Sequence, residues 1–427
     1  MSAPRSTATR VTADSGAGKP RVVHVVSHPI QYFAPLYRAV VERDVVDLEV
    51  VFYSDATFTS FHDADFGRDV KWDTDLASGY ESHVPPASAG RRIPRRGRDA
   101  IRPDLFRAVM GMDADVLWLH AYHLPTSLAL AYAFLATGRP VVLRGERTLL
   151  QQGSAARRRA KDMLMRPLVR RARCAYIGEL NRQYLECYGA RERELFFAPY
   201  SVPNPGSRPS RESARRGLGI DPTVPVVLFV GKLIERKQPL QLLQAWAHLS
   251  ESVRSCLLFA GDGPLRSAID EAVSRQALES VVVTGFLSES QMPMAYAAAD
   301  VFVLTSTGEP WGLVVNEALM AGLPVIVSSA VGSAADLVDD GWNGYVVSPS
   351  DQVALTERLG ALLANPQQRE AWGERGRVRA IEYSLERTVD GLVAAFLGDQ
   401  LLAPAHRAAA PRGRGPYRSS PGAGTAV

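Results

Sequence analysis

Short apolar runs alternate with amphipathic stretches along most of the chain. In the first half the apolar runs are 22–26, 48–53, 115–119, 141–143 and 174–177. Helical spacing marks 32–42, 126–136 and a basic stretch at 155–172, which Pro167 is expected to interrupt. Between 54 and 99 the chain is polar and nearly aperiodic. A loop of that length is usually functional or mobile. A proline-rich stretch follows, with Pro199, Pro203, Pro205, Pro209, Pro222 and Pro225, and reads as a linker. The alternation then restarts more sharply, with strands predicted at 226–230, 256–260, 281–284, 301–305, 325–327 and 345–347. Three further helical stretches fill 351–397. Strands that are apolar throughout and separated by helices imply parallel sheets covered on both faces. The expected architecture is α/β: two doubly wound, Rossmann-like domains facing a cleft. Ligands in such sheets bind at the carboxyl ends of the strands.

Length agrees with this: 427 residues suit two domains. The expected divisions are 21–200 and 201–382, a C-terminal helix at 383–402 packing back on the first domain, and disordered tails at 1–20 and 403–427. Hydrophobic residues at 46% and charged residues at 22% exclude wholesale disorder. The net charge of +4 is too small to mark a nucleic-acid binder, and no nucleic-acid partner is expected. Cys174, Cys187 and Cys256 neither build a disulfide framework nor show metal-ligand spacing. No segment has the length of a membrane span, and the first twenty residues lack the apolar core of a secretory signal. The expected location is the cytoplasm.

The candidate chemistry lies in three strand-to-helix turns of the second half. They are Gly231-Lys232-Leu233-Ile234-Glu235-Arg236-Lys237, Gly261-Asp262-Gly263-Pro264 and Gly308-Glu309-Pro310-Trp311-Gly312. Glycine lets backbone approach a ligand, and the helix starts offer amide groups to an anion. Lys232 and Lys237 add positive charge, a combination suited to a diphosphate. As bare spacing, the same lysines could simply begin a solvated helix. Glu309 and Glu317 form E-x7-E, with Gly312 near a helix start and Leu313 and Glu317 four residues apart on one face. A carboxylate there can accept from a vicinal diol beside the diphosphate. A capping Glu309 and a surface Glu317 are the plainer alternative.

These segments carry a resemblance. The stretches FVGKLIERKQPLQLLQAW, LLFAGDGPLR, VVVTGFLSESQMPMAYAAADVFVLTSTGEPWGLVVNEALMAGLPVIVS and DLVDDGWNGYVV, within 226–350, resemble the nucleotide-sugar-binding domain of retaining GT-B glycosyltransferases, glycosyltransferase family 4. The resemblance implies that Lys232 and Lys237 hold the donor diphosphate together with the amides of Gly312, Leu313 and Val314. It implies that Glu317 holds the ribose, that Glu309 contacts the transferred sugar, and that backbone at Gly285, Phe286 and Leu287 lies against the base. The family usually has Arg where this chain has Lys232. The resemblance further implies a hexosyl donor as co-substrate and neither a metal nor another cofactor. Asp-x-Asp, the metal-binding signature of the other main glycosyltransferase fold, occurs at Asp63/Asp65, Asp73/Asp75 and Asp113/Asp115, and reads as chance.

The first half of this family binds the acceptor. The candidate cleft residues are His28 in the turn after the first strand, His120 and His123 after the third, and Arg144 and Glu146 after the fourth. Many family members carry a His where Arg144 stands. The text HPIQYFAPLYR and LRGE resembles bacterial members linked to surface-polysaccharide assembly, which implies a saccharide or lipid-linked saccharide acceptor. Residues 151–173 hold eight basic side chains and one acidic one, a pattern suited to anionic lipid at the inner face of the cell membrane or to a solvated helix face. A sugar-nucleotide epimerase of the same fold and a non-catalytic sugar-nucleotide-binding protein are the competing functions.

Overall fold

The computed structural model describes residues 18–63, 66–88, 90, 93–94, 100–120, 122–150, 155–202, 208–250 and 253–398, and for 155–161 the backbone alone. The tail expectations for 1–17 and 403–427 lie outside the described residues, as do Pro203, Pro205 and Asp65.

Fifteen strands are present among the described residues. They are β1 (Arg21–Val26), β2 (Asp47–Phe52), β3 (Phe61–Asp63), β4 (Arg68–Val70), β5 (Glu81–His83), β6 (Val116–Leu119), β7 (Val141–Arg144), β8 (Arg173–Tyr176), β9 (Leu195–Phe197), β10 (Val226–Val230), β11 (Cys256–Ala260), β12 (Val281–Gly285), β13 (Val301–Leu304), β14 (Val325–Ser328) and β15 (Gly344–Val347). Two parallel sheets result, in the orders β5-β2-β1-β6-β7-β8-β9 and β12-β11-β10-β13-β14-β15. Strands such as VVLFV and CLLFA are buried at every position. Side chains on both faces of a strand need cover, and helices on both sides of each sheet provide it. Strand order reverses beside β1 and beside β10, between β1 and β6 and between β10 and β13. Crevices at those switch points lie outside the carboxyl ends of the strands.

The long stretch 54–99 departs from a featureless loop. β3 and β4 pair antiparallel, and β5 joins the edge of the first sheet beside β2. Each is only three residues long and largely polar, so pairing with neighbours rather than an apolar pattern makes them strands. A second departure is the basic helix, Ala155–Val169, which passes through Pro167. Proline removes the hydrogen bond to the carbonyl four residues earlier, that of Met163. Met163 is exposed, so water can take that carbonyl.

Two connections join the sheets. Residues 198–202 lead from β9 into the second domain, and helix Leu385–Leu397 returns to pack on β8, β9 and the helix Ala34–Glu42. Its Ser384 accepts a cap bond from the Arg387 amide at 3.2 Å. The joint itself is aromatic. Trp311 meets Tyr200 edge-on at 6.2 Å and Tyr383 at 6.1 Å. Its indole N–H donates to Asn316 Oδ1 at 2.9 Å. Gly178, at the start of helix Glu179–Cys187, lies under the same ring: a Cβ there would fall 2.4 Å from Trp311 Cζ3 and 2.6 Å from Asp336 Oδ2. The Glu179 amide donates to both Asp336 oxygens, at 2.9 and 3.1 Å. A carboxylate of the second domain thus caps a helix of the first.

Candidate active site

The carboxyl end of β10 turns through Gly231 into Lys232, and a short helical turn, Glu235–Lys237, brings Arg236 and Lys237 to the same side. The carboxyl end of β13 supplies Glu309. Its carboxylate is held by Arg236 Nη1 at 3.0 Å and Lys237 Nζ at 3.5 Å. Main-chain bonds from the Glu309 amide to Ala330 O (3.0 Å) and from the Gly332 amide to Glu309 O (2.9 Å) fix its backbone. Burial pushes the Lys237 ammonium below its ordinary value, and Glu309 pulls the other way.

Gly312 caps the helix Leu313–Met320 in a left-handed conformation, φ +91°, which glycine adopts without steric cost. The first amides of that helix have no intrahelical acceptor. They start at the turn that carries Glu309, as the spacing predicts. Glu317 lies one turn further along and accepts a hydrogen bond from the Tyr296 hydroxyl. Burial raises its carboxyl to about 7, with Glu289 adding to the effect and Lys237 and the tyrosine bond opposing it. β12 ends in Gly285, and the partly buried Leu287 packs on the core.

The first domain supplies the other wall. The His28 Nδ1 lies 2.8 Å from the Ser27 hydroxyl, and burial depresses its imidazole to about 4, so it is neutral at pH 7. His120 meets Phe33 edge-on at 4.8 Å, and its buried Nδ1 has no hydrogen-bond partner among the described residues. Burial and then the charge of Arg144 hold it well below the ordinary histidine value. Glu146 accepts from the Tyr200 hydroxyl at 2.7 Å. Burial raises its carboxyl, and the charge of Glu309 across the cleft adds to that. Tyr32 feels both Glu146 and Glu309, so these groups share one space between the domains.

Arg144 and His123 differ in exposure from the other cleft candidates. Arg144 is 1% exposed. Its guanidinium donates to the carbonyls of Ala198 (3.3 Å) and Pro199 (3.0 Å) and stacks on Tyr200 at 4.6 Å. It braces the interdomain connection. From the end of β7 its side chain reaches the carbonyls just past β9, which strand-end counting does not reveal. His123 is exposed.

Sequence reasoning missed two participants. Arg236 lay inside the quoted turn but was not singled out, although it is the closer of the two cations on Glu309. Asp63 came from the segment read as loop, in an Asp-x-Asp read as chance. Its two oxygens accept from Lys232 Nζ at 2.8 and 2.9 Å.

Residues 210–379 match the family model described as glycosyl transferases group 1. The match falls within the second domain. Among curated relatives, the chain is 30% identical over 189 residues to an alpha-D-kanosaminyltransferase of Streptomyces kanamyceticus, covering 44% of this chain and 48% of the relative. It is 35% identical over 199 residues to a D-inositol 3-phosphate glycosyltransferase of Corynebacterium urealyticum, covering 44% and 46%. The chain thus spans about half the length of the curated relatives it matches. Solved structures extend the likeness of fold over both domains. Sucrose-phosphate synthase of Thermosynechococcus elongatus superposes with a TM-score of 0.68 at 18% identity, covering 88% of this chain and 98% of that one. Anabaena HepE in complex with UDP and glucose gives 0.66 at 20%, covering 88% and 99%. The two Rossmann-like domains together form a GT-B fold.

Proposed function

We propose that the protein is a retaining glycosyltransferase of family 4. It moves a hexose from a nucleoside-diphosphate donor to a saccharide or lipid-linked saccharide in surface-glycan assembly. The observation that carries this reading is the cluster of Lys232, Arg236 and Lys237 gathered with Glu309 beside the start of helix Leu313–Met320.

In the reaction, the bond between the anomeric carbon and the diphosphate oxygen breaks, and its electron pair stays with the diphosphate. Lys232, Lys237 and the amides of Gly312, Leu313 and Val314 hold the developing negative charge in place. These groups supply the charge that a metal ion supplies in other enzymes, so the transfer is metal-independent. The acceptor oxygen bonds to the same carbon on the same face, and its proton passes to the departing phosphate oxygen. Glu309 touches the sugar, Glu317 accepts from the ribose, and the backbone at Gly285, Phe286 and Leu287 borders the base. His28, His120 and Glu146 line the acceptor side.

No helix among the described residues is long and apolar enough to cross a membrane. We propose that contact with a lipid-linked acceptor is made through a basic helix of the first domain. The helix Ala155–Val169 exposes Met163 and Leu164 near Arg166 and Arg170, which suits anionic lipid. The basic side chains of 157–161 lie outside the described residues.

The solved relative in complex with UDP and glucose makes UDP-glucose the first donor to try. Wild type should release UDP from a matching donor, and Glu309→Gln should lower that rate by about a hundredfold or more. Equal release by both proteins refutes the assignment of Glu309. Tight binding without release refutes catalysis, and a product of opposite anomeric configuration refutes retention.

A further inference from the structure

Residues 61–63 and 66–74 of the first domain reach the turns of the second domain that carry Lys232, Phe286 and Glu289. They make three separate contacts there. Asp63 binds Lys232 through both oxygens, and the pair is only 16% and 25% exposed. Phe66 and Trp72 close on Phe286, with ring centroids at 5.2 and 6.2 Å, and the Arg68 guanidinium stands 5.6 Å over the same ring. The Lys232 ammonium also rests 4.9 Å over Phe66. Beyond this, Asp73 accepts from the Glu289 and Ser290 amides at 3.2 and 3.1 Å and from the Ser290 hydroxyl, while Thr74 donates to Glu289.

The contacted residues are not arbitrary. Lys232 is one of the two lysines assigned to the diphosphate, and Phe286 is in the turn assigned to the base. The chemistry of the contact also matches: a carboxylate presents two anionic oxygens to an ammonium, as a phosphate does. We propose that this segment is an internal cover over the donor site, with Asp63 standing in for a donor phosphate on Lys232. A donor enters by displacing Asp63, and the aromatic side chains of Phe66 and Trp72 then move off Phe286 to admit the base. Asp73 and Thr74 hold the far end of the segment. Asp63 thereby sets donor affinity: part of every diphosphate's binding energy goes to breaking an existing ion pair. This inference rests on the donor-site reading above.

The test is calorimetric titration of the full chain with UDP, and with GDP and ADP in parallel, for wild type, Asp63→Asn and Asp63→Glu. Removing the competing charge should tighten diphosphate binding in Asp63→Asn by roughly tenfold. Asp63→Glu keeps the charge and should stay near wild type. Tryptophan emission gives a second readout that does not depend on affinity. Ligand should shift the wild-type spectrum to the red as Trp72 becomes wet, Asp63→Asn should show part of that shift without ligand, and Trp72→Phe should remove it. Equal or weaker binding by Asp63→Asn, with no shift in its unliganded spectrum, overturns the cover and leaves the donor site standing. Absence of binding by every protein to every nucleotide overturns both.

Discussion

Asp336→Asn tests how the two domains are held together. Asp336 belongs to the second domain and is 4% exposed. It accepts from the Glu179 amide and, at 3.1 Å, from the Tyr383 hydroxyl. Burial raises its carboxyl to about 7, with the nearby Glu179 charge adding to this and the two hydrogen bonds and Arg379 opposing it. In the unfolded chain the same group titrates near ~3.9. Between those values the folded protein keeps a proton that the unfolded chain has released. Stability must therefore fall as pH rises through that window. Three units at about 1.36 kcal/mol each give on the order of 4 kcal/mol lost between pH 4 and pH 7. Asparagine cannot ionise, yet it offers the Glu179 amide an acceptor of the same shape. The expected outcome is that the variant and wild type are about equal at pH 4, and that the variant gains steadily up to pH 7 and then stays ahead. Urea unfolding of both proteins at pH 4, 5, 6, 7 and 8, followed by tryptophan fluorescence, measures the difference. Parallel curves across that range, or a wild type that is the more stable at pH 8, would refute the reasoning.

The same cause acts on Glu317, whose carboxyl burial raises to about 7. If it accepts from the donor ribose, UDP affinity of wild type should weaken as pH falls below 7, while Glu317→Gln should be flat; calorimetry from pH 5.5 to 8.5 decides. For the membrane contact, flotation with vesicles of anionic lipid should carry wild type upward and leave Arg157/Arg158/Arg159→Ala behind. Equal flotation removes that role.

How much of this was legible in the sequence depended on where the folding information lies. The second domain was readable because four of its strands, β10, β11, β13 and β14, are buried at every position. A strand with both faces covered must be apolar at every position, and β10 and β11 have the bounds their apolar runs suggest. The turns after β10 and β13 were readable for a related reason. Lys232, Lys237 and Glu309 sit at switch-point strand ends, where local sequence and topology coincide. The segment between 54 and 99 was not readable. β3 (Phe-His-Asp) and β4 (Arg-Asp-Val) have no apolar period, and only their partners make them strands. Arg144 shows the limit of strand-end counting: its backbone lies where expected, but its buried guanidinium serves the carbonyls of residues 198 and 199.

Asp63 and Lys232 show why such contacts escape a one-dimensional reading. They are 169 positions apart, and nothing local distinguishes this Asp-x-Asp from the one at Asp113/Asp115, where Asp115 accepts from the Arg21 amide at 2.8 Å and Asp113 pairs with the Arg21 guanidinium. Three identical patterns thus have three fates: one binds Lys232, one caps the turn at 289–290, and one anchors the start of β1. What separates them is the surface each meets, and only folding decides that. The cations of the second domain follow the same logic. Lys232, Arg236 and Lys237 are gathered at one strand end, where mutual repulsion would be costly unless anions lie between them. Glu309 supplies one from the same domain and Asp63 supplies the other from across the cleft. Three cations and two carboxylates leave the cluster with one net positive charge, so the protein's own anions offset most of the repulsion and not all of it.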